Sequence, residues 1–180
     1  DYLDETAKHF PDKVGVKDIK TEFTFTAIRN NAMKIGTCLG ERGMFKRPVA
    51  IYLDKNADCF TTIFGVAYSG NFYTIIDVTM PQERIEKILN ILEVDVVITD
   101  KKHEGDINKL KLDFSLLLIE DLYQCTPDSM LIENIRHRIV DTDILYILFI
   151  TFQMLSPFLI SPPQTPYPIS PSLASMWVLP

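Results

Sequence analysis

Apolar residues in the first half of the chain recur at intervals of three and four, the spacing of one face of a helix. This pattern predicts a short first helix, a long second helix, a third helix from about residue 58 to 68 and a fourth that starts at Pro81 and includes Leu92. The faces predicted to be buried are, in chain order, Leu3, Ala7 and Phe10; Ile28, Ala32, Ile35 and Leu39; Phe60, Ile63, Phe64 and Ala67; and Ile85, Ile88, Leu89 and Leu92.

Residues with special backbone properties mark the ends of these helices. Threonine can cap a helix start, proline is tolerated in the first turn, and glycine commonly ends a helix. The predicted starts are Thr26 and Pro81, and the predicted ends are Pro11, Gly43 and Gly70.

Short β-prone runs lie between the helices and predict strands. Runs at 49–53, 72–76 and 94–99 alternate with helices, which is typical of a parallel sheet with helical crossovers. Further strand candidates are residues 14–16, 23–25, 114–119 and 144–149. The predicted fold class is therefore α/β with a mostly parallel sheet.

Composition changes sharply near the end of the chain. All 42 charged residues lie at or before Asp143, so residues 144–180 carry no formal charge. Those 37 residues hold seven of the eleven prolines and none of the seven glycines. Because proline removes a backbone donor and breaks helices and central strands, two regions are expected: a folded domain over residues 1–149 and an irregular, proline-rich tail over residues 150–180.

Charge and cysteine content exclude several classes of function. The net charge of -6 argues against nucleic-acid and anionic-membrane partners, which require clustered basic residues. The three cysteines are far apart and form no C-x-x-C pair, so neither a disulfide framework nor a zinc site is indicated and a cytoplasmic location is expected. His9, His103 and His137 have no partner at metal-ligand spacing, so no metal site is predicted.

Five residues between positions 70 and 84 match the spacing of a known motif. They are Gly70, Tyr73, Asp77, Pro81 and Arg84, and their arrangement is similar to K-A-G-x-x-Y-x-P-x-D followed by P-x-x-R. Two other segments agree with this match. Residues 23–32 resemble the segment L-T-Y-x-E-L…A-N, and residues 141–149 resemble the strand that leads into a glycine-rich phosphate loop.

These segments resemble the adenylate-forming, AMP-binding ligases, in the branch of nonribosomal peptide synthetase adenylation domains and D-alanine ligases. The resemblance covers the first 149 residues and implies an incomplete N-terminal subdomain of such an enzyme. It implies a parent reaction in which ATP and an amino acid give an aminoacyl-adenylate and pyrophosphate. The acyl group then passes to phosphopantetheine on a carrier protein, and Mg²⁺ assists.

The phosphate loop of the family, T-S-G-S-T-G-x-P-K-G, is expected directly after Phe149, where residues 150–157 contain neither glycine nor lysine. Such a loop needs glycines for close approach of backbone N–H groups to phosphate and a lysine for charge. The sequence therefore assigns no catalytic, cofactor-binding or metal-ligating residue, and the chain is expected to be an inactive fragment. Because the chain starts at Asp1 rather than Met, it is also expected to begin inside a longer one.

Structural rather than catalytic roles are predicted for the motif residues themselves. Asp77 and Tyr73 are expected to shape the exit from a strand, and Glu83 and Arg84 to lie on a solvated helix face, with Glu83 paired to Lys87. A different class of function stays open: a non-enzymatic α/β module tethered to a membrane by residues 144–180. Its uncharged run of 17 residues, 144–160, is shorter than the roughly 20 that a membrane span needs.

Overall fold

The computed structural model describes residues 2–19, 21–110 and 112–149. The irregular tail expected over residues 150–180 lies outside these ranges. Helices and strands alternate along most of the described chain. In chain order they are α1 (Tyr2–His9), β1 (Val14–Lys17), β2 (Glu22–Thr24), α2 (Phe25–Glu41), β3 (Pro48–Tyr52), α3 (Ala57–Tyr68), β4 (Phe72–Ile75), α4 (Gln82–Ile91), β5 (Val96–Thr99), α5 (Glu104–Ile107), β6 (Ser115–Leu118), α6 (Ile119–Leu122) and α7 (Ser129–Arg136).

The main sheet is parallel, as the alternation of strands and helices predicts. It has four strands in the order β4-β3-β5-β6, and each neighbouring pair runs in the same direction. Val49 of β3 is opposite Tyr73 of β4 and Val96 of β5. The two earlier strands, β1 and β2, form a separate antiparallel hairpin. The carboxyl ends of all four parallel strands therefore meet at one edge of the sheet.

The core lies on both faces of the two central strands. Every residue of β3 and of β5 is buried, as expected for strands covered on both sides. On one face the sheet packs against α2 and α3, and on the other against α4 and α5. The predicted inner face of α2 is confirmed, because Ile28, Ala32, Ile35 and Leu39 are all fully buried.

The predicted inner face of α3 is only partly confirmed, because Ile63 and Phe64 are partly buried against the core but Phe60 is not. Phe60 is 40% exposed, and the buried residues of this helix include Cys59, Thr61, Thr62 and Val66 instead. The reason is the close crossing of α2 and α3, where a Cβ added at Gly65 would lie 2.5 Å from the Cβ of Ile35. No side chain fits at Gly65 itself, while Tyr68 of α3 is buried against Gly36 of α2.

Two predicted helix boundaries also differ from the structure. Thr24, not Thr26, caps α2, and its Oγ1 accepts a hydrogen bond from the backbone N–H of Ala27. The Thr26 hydroxyl instead donates to the carbonyl of Pro11 at 2.9 Å. Phe10 lies one residue beyond the end of α1 and is 57% exposed, so it does not extend the apolar stripe of that helix.

The strand predicted at residues 144–149 reduces to one parallel bridge, between Tyr73 and Tyr146. The backbone N–H of Tyr73 donates to the carbonyl of Leu145, and that of Ile147 donates to the carbonyl of Tyr73. Several side chains of this segment, including Leu145 and Leu148, are more than half exposed. Continuous apolar sequence predicts a strand whose two faces are both covered. This segment instead pairs with β4 through a single bridge and leaves several side chains exposed.

Candidate functional site

The carboxyl edge of the parallel sheet gathers polar side chains from three loops and from the hairpin. Ligand sites of open α/β sheets lie at this edge, so we take it as the candidate site. A cleft of about 500 Å³ opens there. It is lined by Asp18, Ile19, Thr21, Asp54, Lys55, Asn56, Asp58, Asp100 and Lys102.

Asp77, the motif aspartate, stands directly after β4 at this edge. Its carboxylate accepts hydrogen bonds from the hydroxyl of Thr79 at 2.7 Å and from the backbone N–H of Thr79 at 2.9 Å. The ammonium of Lys55, in the loop after β3, lies 3.0 Å from its other oxygen. The hydrogen bonds from Thr79, together with Lys55, hold the pKa of Asp77 well below its usual range. Asp77 thus turns the chain out of β4 and joins two neighbouring loops.

The glycine of the motif forms the turn between α3 and β4. Gly70 has φ of +68°, in the left-handed region that glycine adopts without strain. The side chain of Asn71 fixes the same turn, since its Oδ1 accepts from the backbone N–H of Arg47 and its Nδ2 donates to Ser69 Oγ at 2.8 Å. The ring of Tyr73 stacks on that of Tyr146, with centroids 5.9 Å apart.

The proline and arginine of the motif lie at the start of α4. Pro81 occupies the cap position, and its carbonyl accepts from the backbone N–H groups of Arg84 and Ile85. The predicted ion pair between Glu83 and Lys87 does not form in the structure; both side chains are exposed. The motif residues are therefore spread along the chain from α3 to α4 rather than brought to one point.

His103 has partners that sequence reasoning missed. It is 6% exposed, and its Nδ1 lies 2.7 Å from Asp100 Oδ1, which also accepts the backbone N–H of His103. On the other side of the ring, Nε2 lies 3.7 Å from Asp54 Oδ1, and Tyr52 packs edge-on. The spacing of Asp100 and His103 after a buried strand was the available signal. Asp54, 49 positions earlier, was not linked to them by any local pattern.

The charged side chains and His103 described at this sheet edge form neither a metal site nor a phosphate site. Asp100 and Asp54 contact opposite nitrogens of the His103 ring, and the described residues contain no group of three or more His, Cys, Asp or Glu side chains placed to hold an ion. Four aspartates and two lysines line the cleft, and the lysines are engaged, Lys55 by Asp77 and Lys102 by Asp54. Excess negative charge does not fit Mg²⁺-bound triphosphate, so no step of catalysis is assigned to this edge.

Comparison with known proteins agrees with the family resemblance that the motif predicts. A family profile described as "AMP-binding enzyme" matches residues 3–149. The D-alanine--D-alanyl carrier protein ligase of Lacticaseibacillus casei (strain BL23) is 21% identical over 150 residues, which cover 82% of this chain and 28% of the ligase. The chain thus spans less than a third of the length of that curated relative.

Solved structures show the same fold. The nonribosomal peptide synthetase FmoA3 in its α-methyl-L-serine-AMP bound form superposes with a TM-score of 0.64 at 18% identity, over 81% of this chain and 15% of that one. The N-terminal subdomain of Klebsiella oxytoca NpsA, in complex with 3-hydroxybenzoyl-AMSN, gives a TM-score of 0.60 at 17% identity, over 69% of this chain and 31% of that one.

Proposed function

The chain belongs to the family of AMP-binding enzymes, and on this premise we propose that residues 3–149 are the N-terminal part of an amino-acid-activating domain. The observation that carries the proposal is the extent of the family match, which runs from α1 to the last described residue. The parallel sheet over the same range supports it, because the NpsA N-terminal subdomain shares this fold.

The proposed parent reaction has two steps. The carboxylate of an amino acid attacks the α-phosphorus of ATP, which gives an aminoacyl-adenylate and releases pyrophosphate. The thiol of phosphopantetheine on a carrier protein then attacks the acyl carbon and displaces AMP. The D-alanine--D-alanyl carrier protein ligase, a relative by sequence, supports a carrier protein as acceptor. Mg²⁺ would neutralise the phosphates in this reaction.

The described residues support the fold of this domain rather than its chemistry. Asp77 and Lys55 join the loops after β4 and β3, and Asp100 holds His103 in the loop after β5. The Asp77–Lys55 pair thus ties together two loops that follow neighbouring parallel strands. We propose that these side chains set the shape of the sheet edge next to which the missing phosphate loop would stand.

We propose that this chain does not catalyse adenylation by itself. Adenylation needs backbone N–H groups and cations around the triphosphate. Residues 150–180 hold no glycine and no lysine, and the two lysines of the cleft are paired with carboxylates. We further propose that the family-like domain ends at residue 149 and that residues 150–180 do not belong to it.

The alternative of a membrane-tethered module is not favoured. Its supposed anchor starts at residue 144, but residues 144–149 lie within the family match, and Tyr146 stacks on Tyr73 at the sheet edge. No helix in the described ranges is both long and apolar enough to cross a membrane. Detergent partitioning tests the alternative, since an anchored module would pellet with membranes.

A cytoplasmic location and the absence of nucleic-acid and membrane partners stay proposals. The supporting observations are the net charge of -6 and three cysteines that are all free in the structure. Free cysteines are typical of proteins in a reducing compartment.

ATP binding tests the proposed function. Equilibrium dialysis with labelled ATP should show no saturation of the 180-residue chain up to about 1 mM, because both lysines of the described cleft are paired and the sequence of residues 150–180 has no glycine or lysine. A hybrid of residues 1–149 with the part of the Lacticaseibacillus ligase that follows its matching segment should bind ATP. The same hybrid with alanine in place of its loop lysine is the control and should bind less. Tight binding by the 180-residue chain would contradict the proposal.

A further inference from the structure

The loop between α6 and α7 lies across the C-terminal half of α2. The ammonium of Lys34 donates to the carbonyl of Tyr123 at 2.8 Å. The backbone N–H of Asp128 donates to the Thr37 hydroxyl oxygen at 3.0 Å. These two hydrogen bonds fix the loop before and after Cys125, next to the turn of α2 that carries Cys38.

Cys38 and Cys125 line the same cleft between those two hydrogen bonds, although 87 positions separate them in sequence. Cys125 packs against the core cluster that contains Cys38, and the Cys38 thiol influences the pKa of the Cys125 thiol. Nη1 of Arg42 donates to Cys38 Sγ at 2.8 Å and to the Cys38 carbonyl at 2.8 Å. The guanidinium can therefore offset negative charge that forms on this sulfur. Burial, followed by the influence of the nearby Cys38 thiol, raises the pKa of the Cys125 thiol to about 12.

One cleft gives access to this region, in which Cys38 is 7% exposed and Cys125 is partly exposed. Cys38, Arg42 and Cys125 line one cleft of about 510 Å³. Cys59, on α3, is 5% exposed and is not among the residues that line this cleft, and burial raises its pKa to about 11. The three cysteines therefore divide into a pair that lines one cleft and a buried thiol that does not line it.

We propose that Cys38 and Cys125 are a dithiol pair that oxidises reversibly to a disulfide and so fastens the α6–α7 loop to α2. A small-molecule disulfide such as oxidised glutathione is the oxidant. The Cys38 thiolate attacks one glutathione sulfur, a mixed disulfide forms, and one glutathione leaves as thiolate. Cys125 then loses its proton and attacks the Cys38 sulfur, which releases the second glutathione. Two protein thiols lose two electrons, and the two glutathione thiolates take up the two protons.

The bond would close a long loop of the chain. A crosslink between positions so far apart restricts the unfolded chain strongly, so the oxidised protein should unfold at a Tm about 4–15 °C above that of the reduced protein. In a reducing compartment such a bond is transient and responds to the glutathione ratio.

Oxidation of the folded 180-residue chain with oxidised glutathione tests the proposal. After quenching with acid, remaining thiols are alkylated under denaturing conditions, and the peptides are mapped by mass spectrometry. We expect an intact mass about 2 Da lower before alkylation, a Cys38–Cys125 peptide link, alkylation of Cys59, and return to the starting mass with dithiothreitol.

Matched variants separate this pair from general thiol oxidation. Cys59→Ser should keep both the link and the rise in Tm, whereas Cys125→Ser and Cys38→Ser should lose both. Three results would overturn the proposal: a link that includes Cys59, glutathione adducts without an internal link, or a link that forms only in denaturant. The mapping of the unsubstituted protein decides the matter even if a serine variant does not fold.

Discussion

Asp4 shows how single residues hold distant parts of this chain together. Its carboxylate accepts hydrogen bonds from Arg29 of α2 at 2.6 Å, from Arg136 of α7 at 2.5 Å and from the hydroxyl of Tyr68 of α3 at 3.2 Å. Burial alone would raise the pKa of Asp4, but the hydrogen bonds from the two guanidinium groups outweigh burial and hold that pKa below its usual value. One carboxylate on α1 thus connects three other helices.

We expect Asp4→Asn to lower the free energy of unfolding by about 1–3 kcal/mol at pH 7, because the two guanidinium groups lose their shared anion at a site that is only partly open to solvent. A carboxyl with a lowered folded-state pKa contributes stability above its unfolded value of about 3.9, and that contribution is lost as the pH falls through the folded value. Urea unfolding at pH 7 and pH 3 measures both effects.

Asp106→Asn is the matched control for Asp4→Asn. Asp106 pairs with Lys109 on the surface, and both side chains are more than half exposed, so its replacement should change stability little at either pH. If Asp4→Asn destabilises the protein no more than Asp106→Asn at pH 7, the assigned role of Asp4 is wrong.

At the scale of elements, the crossing of α2 and α3 depends on two glycines. A Cβ at Gly36 would lie 2.9 Å from the Cβ of Tyr68, and one at Gly65 would lie 2.5 Å from the Cβ of Ile35. Both contacts are with side-chain atoms next to the backbone, which cannot rotate away. The two helices can therefore approach closely only where no side chain stands between them.

We expect Gly65→Ala to destabilise the protein by about 1–3 kcal/mol, because overpacking outweighs the helix propensity that alanine adds. Gly105→Ala is the control. Gly105 lies in α5 with open space around its Cα, so alanine there should be neutral or stabilising by up to about 1 kcal/mol. Thermal unfolding of both variants measures the difference, and equal effects would contradict the proposed close crossing.

Sequence patterns predict those helices whose buried face is set by the spacing of their own apolar residues. The inner faces of α2 and α4 follow from spacing alone, because the apolar residues at that spacing are buried or partly buried in both helices. The face of α3 could not be predicted in this way, since it depends on small residues meeting α2. Residues 144–149 form one bridge rather than the predicted strand. The sequence could not predict this, because a run of apolar residues does not reveal how many neighbours a strand has. Asp54 and His103 come together only through the parallel order of β3 and β5.

At the scale of the whole molecule, the described residues form an α/β unit with a parallel main sheet. The charged side chains at the carboxyl edge of that sheet pair with one another or bond to their own loops. Lys55 and Lys102 are paired with carboxylates, and Asp77 and Asp100 fix their own loops. The family motif from Gly70 to Arg84 therefore forms the turns before and after β4 and the start of α4. The scaffold in this chain is thus separate from a phosphate loop, which the sequence after Phe149 does not provide.

Amino-acid-dependent exchange of labelled pyrophosphate into ATP tests that separation most directly. The assay compares the 180-residue chain, the hybrid with the ligase segment and a no-enzyme control, across the twenty common amino acids and D-alanine. We expect exchange by the hybrid with at least one substrate and none by the 180-residue chain, since triphosphate positioning and charge stabilisation come from the added loop. Exchange by the 180-residue chain above the no-enzyme control would contradict the account.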